Sequence, residues 1–454
     1  MFSLEMGKRL MAKVIVVGGG FAGIAAATAL AEKGINVELL ESRGFLGGRV
    51  YSTENPSFPA PLDNGPHLFM GCYHETWKLF KRLNCSGSFK TIDPLRLSWL
   101  LPGGQKASLQ CAPLPAPFHL IWGLFTTNAF PWKEKISLIK ALIHFSQTPF
   151  KIKPEIKTIS QFMNFTDQGP RSRELFWIPL CNAVMNVSVD VAPILGFGEV
   201  LYRVFFGNRH NSSLVLADKP LSEIGFKKVP VYLKNHQGSV HFHEGVQSFK
   251  VSTNAFKVIT RSGQTYNGDA LIWAVPPASL SALWPVDNWH RIKTLPQLGK
   301  SPILSVHLIV SQPLVEEPLI GLSGGRFEWV FNRNANWNYQ GDGQYLSLVA
   351  SAAESLSRQS EKELVDLAVQ ELKDRLRSAL TWEVLHAKVT REMAATFVWT
   401  TETDDLRLPC ETPYPHVFLA GDWTSTGLPA TIEGACLSGH RAAEKTKDYL
   451  NQTS

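Results

Sequence analysis

Residues 14–23 read Val-Ile-Val-Val-Gly-Gly-Gly-Phe-Ala-Gly, and no other stretch constrains the fold as much. The β-branched run predicts a buried strand, and the alanine-rich run that follows, 24–33, predicts a helix. Between them Gly18, Gly20 and Gly23 hold the G-x-G-x-x-G spacing. In that setting Gly18 admits a tight turn and Gly20 lets a pyrophosphate approach the backbone. Gly23 lets helix and strand pack closely, and the helix N-terminus offers free N–H groups to the phosphates. The expected fold class is α/β, a Rossmann-type parallel sheet built outward from this turn.

A glycine turn alone is a weak signal, and an ordinary βα turn followed by a surface glutamate is the bland alternative. Residues 36–40 predict the next strand, and Glu41 closes it 18 residues after Gly23, where a carboxylate meets the ribose hydroxyls of a bound adenosine. Directly after it comes Arg43-Gly-Phe-Leu-Gly-Gly48-Arg49. The glycine pair lets this loop pass close to a dinucleotide, and Arg43 and Arg49 bring guanidinium groups that pair with phosphates. A G-x-x-G-G-R placed here marks flavoproteins rather than NAD dehydrogenases, so the expected cofactor is FAD.

Residues 62–71 contain Asp63-Asn-Gly65-Pro-His67, turn chemistry that predicts an extended, sharply bent loop passing the flavin at Gly65. His67 reads either as a satisfied turn histidine or as a catalytic, flavin-lining residue. A helix is expected over 73–83, with Tyr73, Trp77 and Phe80 on its core face. At the other end of the chain, 417–423 predict a strand closing in Gly421-Asp422, and a helix running to about residue 450 follows. Pro429 suits its first position. Asp422 is placed to hydrogen-bond a ribityl chain, with Pro429, Ala430, Thr431 and Ile432 following at the flavin. The helix dipole favours negative charge on the reduced ring.

With 454 residues the chain is long for one core and suggests two or three domains. The 26 Phe and 13 Trp suit a large apolar cavity, a membrane-facing patch or a well-filled core. A net charge of +6 with no basic block gives no case for nucleic acid. Six scattered cysteines without a C-x-x-C read as reduced thiols in a cytoplasmic protein, neither a disulfide frame nor a metal site. No apolar run reaches the ~18 residues of a spanning helix. The first ten residues lack a signal core, and Met11 is an alternative start to Met1.

Residues 118–157 hold six Lys against two Glu beside a strongly apolar run. They suit either a segment lying on the anionic inner face of the cytoplasmic membrane or a helical cap with solvated lysines. Residues 160–230 read mostly helical. Strands at 239–242, 245–252, 255–260 and 270–275 are expected to rejoin the first sheet, with Val246 at its edge near the adenine. Further strands fall at 302–310 and 344–350, separated by an Asn/Gly/Trp-rich loop at 332–343. Ser360 and Glu363 form a capping box for a helix whose buried face is Leu364, Leu367, Ala368, Leu372 and Leu376. The division expected is FAD-binding segments at 11–95, 230–282 and 406–454, with a substrate domain interleaved at 96–229 and 283–405.

Together the 18–23 turn, Glu41, the 44–49 loop, Val246 and residues 421–433 resemble the FAD-dependent amine oxidase and carotenoid desaturase superfamily over nearly the whole chain. Residues 62–76, 179–187 and 420–439 resemble one branch, the squalene-associated desaturase-like proteins called hydroxysqualene dehydroxylases. The resemblance implies an amine oxidase-like fold with an interleaved α+β substrate domain. It also implies a long-chain isoprenoid substrate carrying one allylic hydroxyl, reduced by FAD in the hopanoid pathway. In that chemistry His67 is the candidate acid for the leaving hydroxyl, and Asp63 is a second catalytic candidate or orders the loop. With no second glycine turn, the electrons are expected from an external donor, reduced nicotinamide or a reductase. The rival readings are a carotene desaturase-like oxidation of an apolar polyene, an amine oxidase, and a non-catalytic FAD-bound lipid carrier.

Overall fold

Strand Lys13–Val17 lies at the centre of a five-stranded sheet ordered Ser239–His241, Asn36–Leu40, Lys13–Val17, Ala270–Trp273, Val417–Leu419. All four pairings are parallel. The computed structural model describes residues 12–284, 289–376 and 381–453, so the leader and Met11 lie outside the described residues. Val14, Ile15 and Val16 are fully buried, and all four residues of Ala270–Trp273 are too, as an apolar run covered on both faces requires. Helices Phe21–Ala31 and Ile432–Thr453 share one face of the sheet. They approach so closely that a Cβ on Gly439 would lie 2.1 Å from the Ala22 carbonyl.

The expectation that the whole 239–275 block rejoins this sheet is corrected. Strands Val246–Val251, Phe256–Thr260 and Thr265–Tyr266 form a separate antiparallel sheet. It lies against the parallel sheet through Phe249 and Trp273, whose rings are 5.1 Å apart. The alternation of buried and exposed positions explains this, since a strand with one wet face cannot sit inside a doubly covered sheet.

The second layer is a seven-stranded sheet ordered Val384–Thr396, Ser301–Val310, Gln344–Ala350, Trp329–Asn332, Leu319–Leu322, Arg96–Leu101, Gln105–Gln110. Leu304, Val306, Leu308, Leu346 and Leu348 point to one face, which helix Glu361–Arg375 covers with Leu364, Ala368 and Leu372. That helix starts in the expected Ser360–Glu363 capping box. The other face carries Ser305, His307, Tyr345 and Ser347, and Tyr345 packs there on Phe58, Ala60 and Leu62 of strand Phe58–Asp63. The loop expected at 332–343 contains a short helix, Arg333–Trp337, started by the Asn332 side chain accepting from the Ala335 N–H.

A third sheet joins Leu68–Met70 and Phe89–Ile92 to Leu214–Ala217, a strand inside the stretch read as helical. Leu221, Ile224, Val229 and Leu233 pack in the core of the parallel sheet. Val215 and Ala217 of the preceding strand belong to the same core.

Candidate active site

Gly18 adopts φ +109°, and a Cβ there would stand 2.4 Å from the Ala274 carbonyl oxygen. A Cβ on Gly23 would meet the Gly18 oxygen at 1.8 Å, so the helix starts flush against the turn. Gly20 differs: its nearest neighbour would be the Gly48 Cα at 3.9 Å. A Cβ on Gly48 would stand 3.1 Å from the Gly20 Cα, so the two glycine loops run close together, tied by the Gly47 N–H donating to the Gly19 carbonyl at 2.8 Å. Helix Phe21–Ala31 has no side-chain cap and no acid in its first turn, which leaves its first N–H groups without a side-chain acceptor.

Glu41 is buried, and its carboxylate accepts from the Gly19 and Arg43 N–H groups, each at 2.7 Å, and from the Ser42 hydroxyl. It ties the glycine turn to the next loop and keeps one lone pair for a further donor. The Arg43 guanidinium donates to the Gly48 carbonyl and lies against both the Phe45 and Tyr51 rings, which also touch each other. Gly245 abuts Ser42, so Val246 stands beside Glu41 although it belongs to the smaller sheet.

Arg49, expected to pair with phosphates, has two partners within the protein. It donates from Nη2 to Asp422 Oδ2 and from Nη1 to the Ala395 carbonyl, both at 2.6 Å. Asn64 hydrogen-bonds the Arg49 carbonyl at 3.1 Å and Glu392 Oε2 at 2.9 Å. Gly65 follows, and a Cβ on it would lie 3.7 Å from the Ser305 hydroxyl. That hydroxyl is buried and has no hydrogen-bond partner among the described residues.

The C-terminal turn is also corrected in detail. The last helix begins at Ile432, and Thr431 precedes it, its hydroxyl accepting from the Gly434 N–H at 3.1 Å. Pro429 therefore lies before the helix rather than at its first position, and Ala430 lies between Pro429 and Thr431. Gly421 donates to the Ser438 hydroxyl at 2.8 Å. Arg407, buried and facing the Trp399 ring, donates to the carbonyls of Thr424 and Leu428 and so holds the turn. Burial lowers the pKa of this guanidinium to about 10. Glu433 accepts from the N–H groups of Glu75 and Thr76, capping helix His74–Arg82 from across the molecule.

Asp63 is fully buried and accepts from the Ser52 hydroxyl, the Leu221 N–H and Arg333 Nη2. Burial raises its pKa, with Arg333 pulling the other way. So partnered, Asp63 ties its loop to Ser52, Leu221 and Arg333. Arg333 is nine-tenths or more buried, stacks 4.1 Å from the Trp337 ring centroid, and reaches Ser347, which meets His307 and through it Tyr345.

His67 is half-buried, and burial, then Arg49 and Arg333, lower its pKa to about 4. It is therefore uncharged at neutral pH. In that form it can donate one N–H hydrogen bond. Glu392, Arg333, Ser305 and Arg407 were missed from the sequence, and no motif flags any of them.

Gly20, where a Cβ would meet nothing nearer than 3.9 Å, the uncapped helix that follows it and the orphan hydroxyl beside Gly65 fit an extended dinucleotide ending in a flavin. A sequence profile described as flavin containing amine oxidoreductase matches residues 21–446. The chain is 26% identical over 443 residues to a hydroxysqualene dehydroxylase of Rhodopseudomonas palustris, covering 96% of this chain and 98% of that protein. It is 24% identical over 465 residues to a 15-cis-phytoene desaturase of an Oncidium hybrid cultivar, covering 96% and 78%. An oxidoreductase structure from Methanosarcina mazei superposes with a TM-score of 0.73 at 14% identity, covering 95% of this chain and 100% of that one. The chain belongs to the flavin-containing amine oxidoreductase family and is an FAD-dependent oxidoreductase.

Proposed function

We propose that the protein converts hydroxysqualene to squalene in hopanoid and isoprenoid biosynthesis. The net reaction exchanges a C–O bond for a C–H bond: hydroxysqualene and reduced FAD give squalene, oxidised FAD and water. When bound, reduced FAD supplies the hydride. The Gly18–Gly23 turn and helix Phe21–Ala31 receive the pyrophosphate, Glu41 and Val246 the adenosine end, and Gly65, Asp422 and the 429–432 turn the flavin end. Arg49 holds the two flavin-side loops together. His67, neutral and half-buried, donates its N–H to the departing hydroxyl oxygen, and Asp63 with Arg333 fixes the loop that carries it.

What carries this reading is the match to a protein named hydroxysqualene dehydroxylase over nearly the full length of both chains. A second reading, oxidation of an apolar polyene, is favoured by the phytoene desaturase match at similar identity. Both place an isoprenoid lipid at the site and take or give electrons through an external partner, free reduced nicotinamide or a reductase in the first case. Incubating FAD-loaded protein with a chemical reductant and hydroxysqualene, and separately with phytoene and an electron acceptor, decides between them. Squalene as product supports dehydroxylation. A desaturated product from phytoene, with hydroxysqualene untouched, overturns it. Peroxide released with simple amines would point instead to an amine oxidase.

A further inference from the structure

Helices Phe118–Thr126 and Trp132–Ile143 each have one face that the fold does not use. Leu120, Leu124, Leu138, Ala141 and Leu142 face inward and are buried. The outward faces carry Phe118, Trp122, Phe125, Trp132, Ile136 and Ile143. Phe118 is 61% exposed, Trp122 54%, Trp132 58% and Ile143 59%. Isolated exposed apolar residues need no explanation, but these are not isolated. Phe118, Trp122 and Phe125 follow helical spacing on the first helix, and Trp132, Ile136 and Ile143 do so on the second. The Phe125 and Trp132 rings stand 5.3 Å apart and join the two faces into one surface.

The exposed charge of this segment is predominantly positive. Lys133 and Lys140 are exposed on the second helix, and the segment that follows adds three more exposed lysines against one exposed glutamate, Glu155. Of the remaining two charged residues, Lys135 turns inward to the carbonyls of Phe125 and Thr127, and Glu134 accepts from the Ser172 N–H at 2.6 Å. The pairing within the fold thus withdraws one charge of each sign and leaves a cationic margin around an apolar face. Among the described residues no helix is long and apolar enough to cross a membrane.

We propose that this two-helix surface docks on an anionic lipid bilayer, with the aromatic side chains in the headgroup and upper acyl region and the lysines on the lipid phosphates. Docking there brings the protein to the phase in which a long isoprenoid dissolves. The surface deepens the lipid-substrate reading, yet its test uses no substrate, so each can fail without the other.

Flotation of the FAD-loaded protein with vesicles of phosphatidylcholine, and with vesicles also containing phosphatidylglycerol, reads the docking directly. The protein is expected to float with the anionic vesicles and to be released by salt. Replacing Lys133 and Lys140 by Gln should lower partitioning roughly 30-fold, at about 1 kcal/mol per lysine. The pair Trp122→Gln and Trp132→Gln should abolish flotation while FAD content and circular dichroism stay unchanged, because both side chains are on the surface. Absence of wild-type flotation overturns the proposal, as does equal flotation of all variants. A dimer in light scattering that the tryptophan pair dissociates, with no flotation, would make this face a contact between two copies and overturn it too.

Discussion

Arg49 Nη2 stands 2.6 Å from Asp422 Oδ2, a contact between residues 373 apart in the chain. Its second arm reaches the Ala395 carbonyl, so one guanidinium binds the glycine-rich loop to the last strand of the parallel sheet and to the edge strand of the other. Charge-assisted hydrogen bonds of this kind contribute about 1.5–3 kcal/mol each. Arg49→Ala should therefore weaken FAD retention by roughly 10- to 100-fold, read from the release of flavin fluorescence on dilution. Lys at this position should restore little, since it lacks the planar fork that reaches both partners. Retention unchanged in Arg49→Ala would show that the pair does not hold the site together.

His67 combines a half-buried position with a pKa pushed down to about 4. Because it is neutral above that value, the rate should show no inflection from this residue near the ordinary histidine range. His67→Ala should keep FAD and lose most turnover, whereas His67→Gln, which retains an N–H donor, should keep a larger share. Equal losses in the two variants would remove the hydrogen-bond role. A rate that falls as His67 deprotonates near its ordinary pKa would make it an acid instead.

Much of the FAD-binding layer was legible because its signals are local. A strand, a glycine turn and a helix occupy consecutive residues, and Gly18 and Gly23 have backbone reasons visible in the spacing alone. The Ser360 capping box was legible for the same reason. What escaped is held by long-range pairs. Nothing near Arg333 announces that it meets Asp63, 270 residues away, and Glu433 caps a helix 357 residues upstream. The Arg49–Asp422 contact escaped for the same reason, since the motif says where the loop lies and not which distant carboxylate the side chain meets. Leu214–Ala217 was hidden because four apolar residues between helices carry no period that separates strand from helix.

Asp63 and Arg333 form a buried ion pair at 2.9 Å, with both side chains almost wholly enclosed. Removing one partner leaves a buried charge uncompensated, which costs about 3–5 kcal/mol. Arg333→Met should lower the unfolding midpoint sharply and also disturb His67, whose loop starts at Asp63. The double variant Asp63→Asn, Arg333→Met should be less destabilised than the sum of the two single variants, because neither charge is then left alone. Additive losses in a denaturation series would mean that the pair is not coupled as its geometry requires.

Glu328 lies at the other end of the sheet, accepting from the Asn182 amide and the Ser351 N–H, both at 2.9 Å. Burial raises its pKa to about 7, against those two hydrogen bonds. Between the ordinary carboxylate value and 7, the folded protein holds a proton that the unfolded chain has lost. Stability contributed by this group is then present at low pH and falls as pH rises through that window. The loss should be on the order of 2 kcal/mol once the partial exposure of the side chain is discounted. Glu328→Gln keeps the shape and stays neutral, and the Asn182 amide can turn to accept from it. Denaturant unfolding at about pH 6 and about pH 8.5 should show the wild type losing stability on going up and the variant losing less. If both lose the same amount, the pH dependence belongs to other groups and Glu328 is ionised throughout.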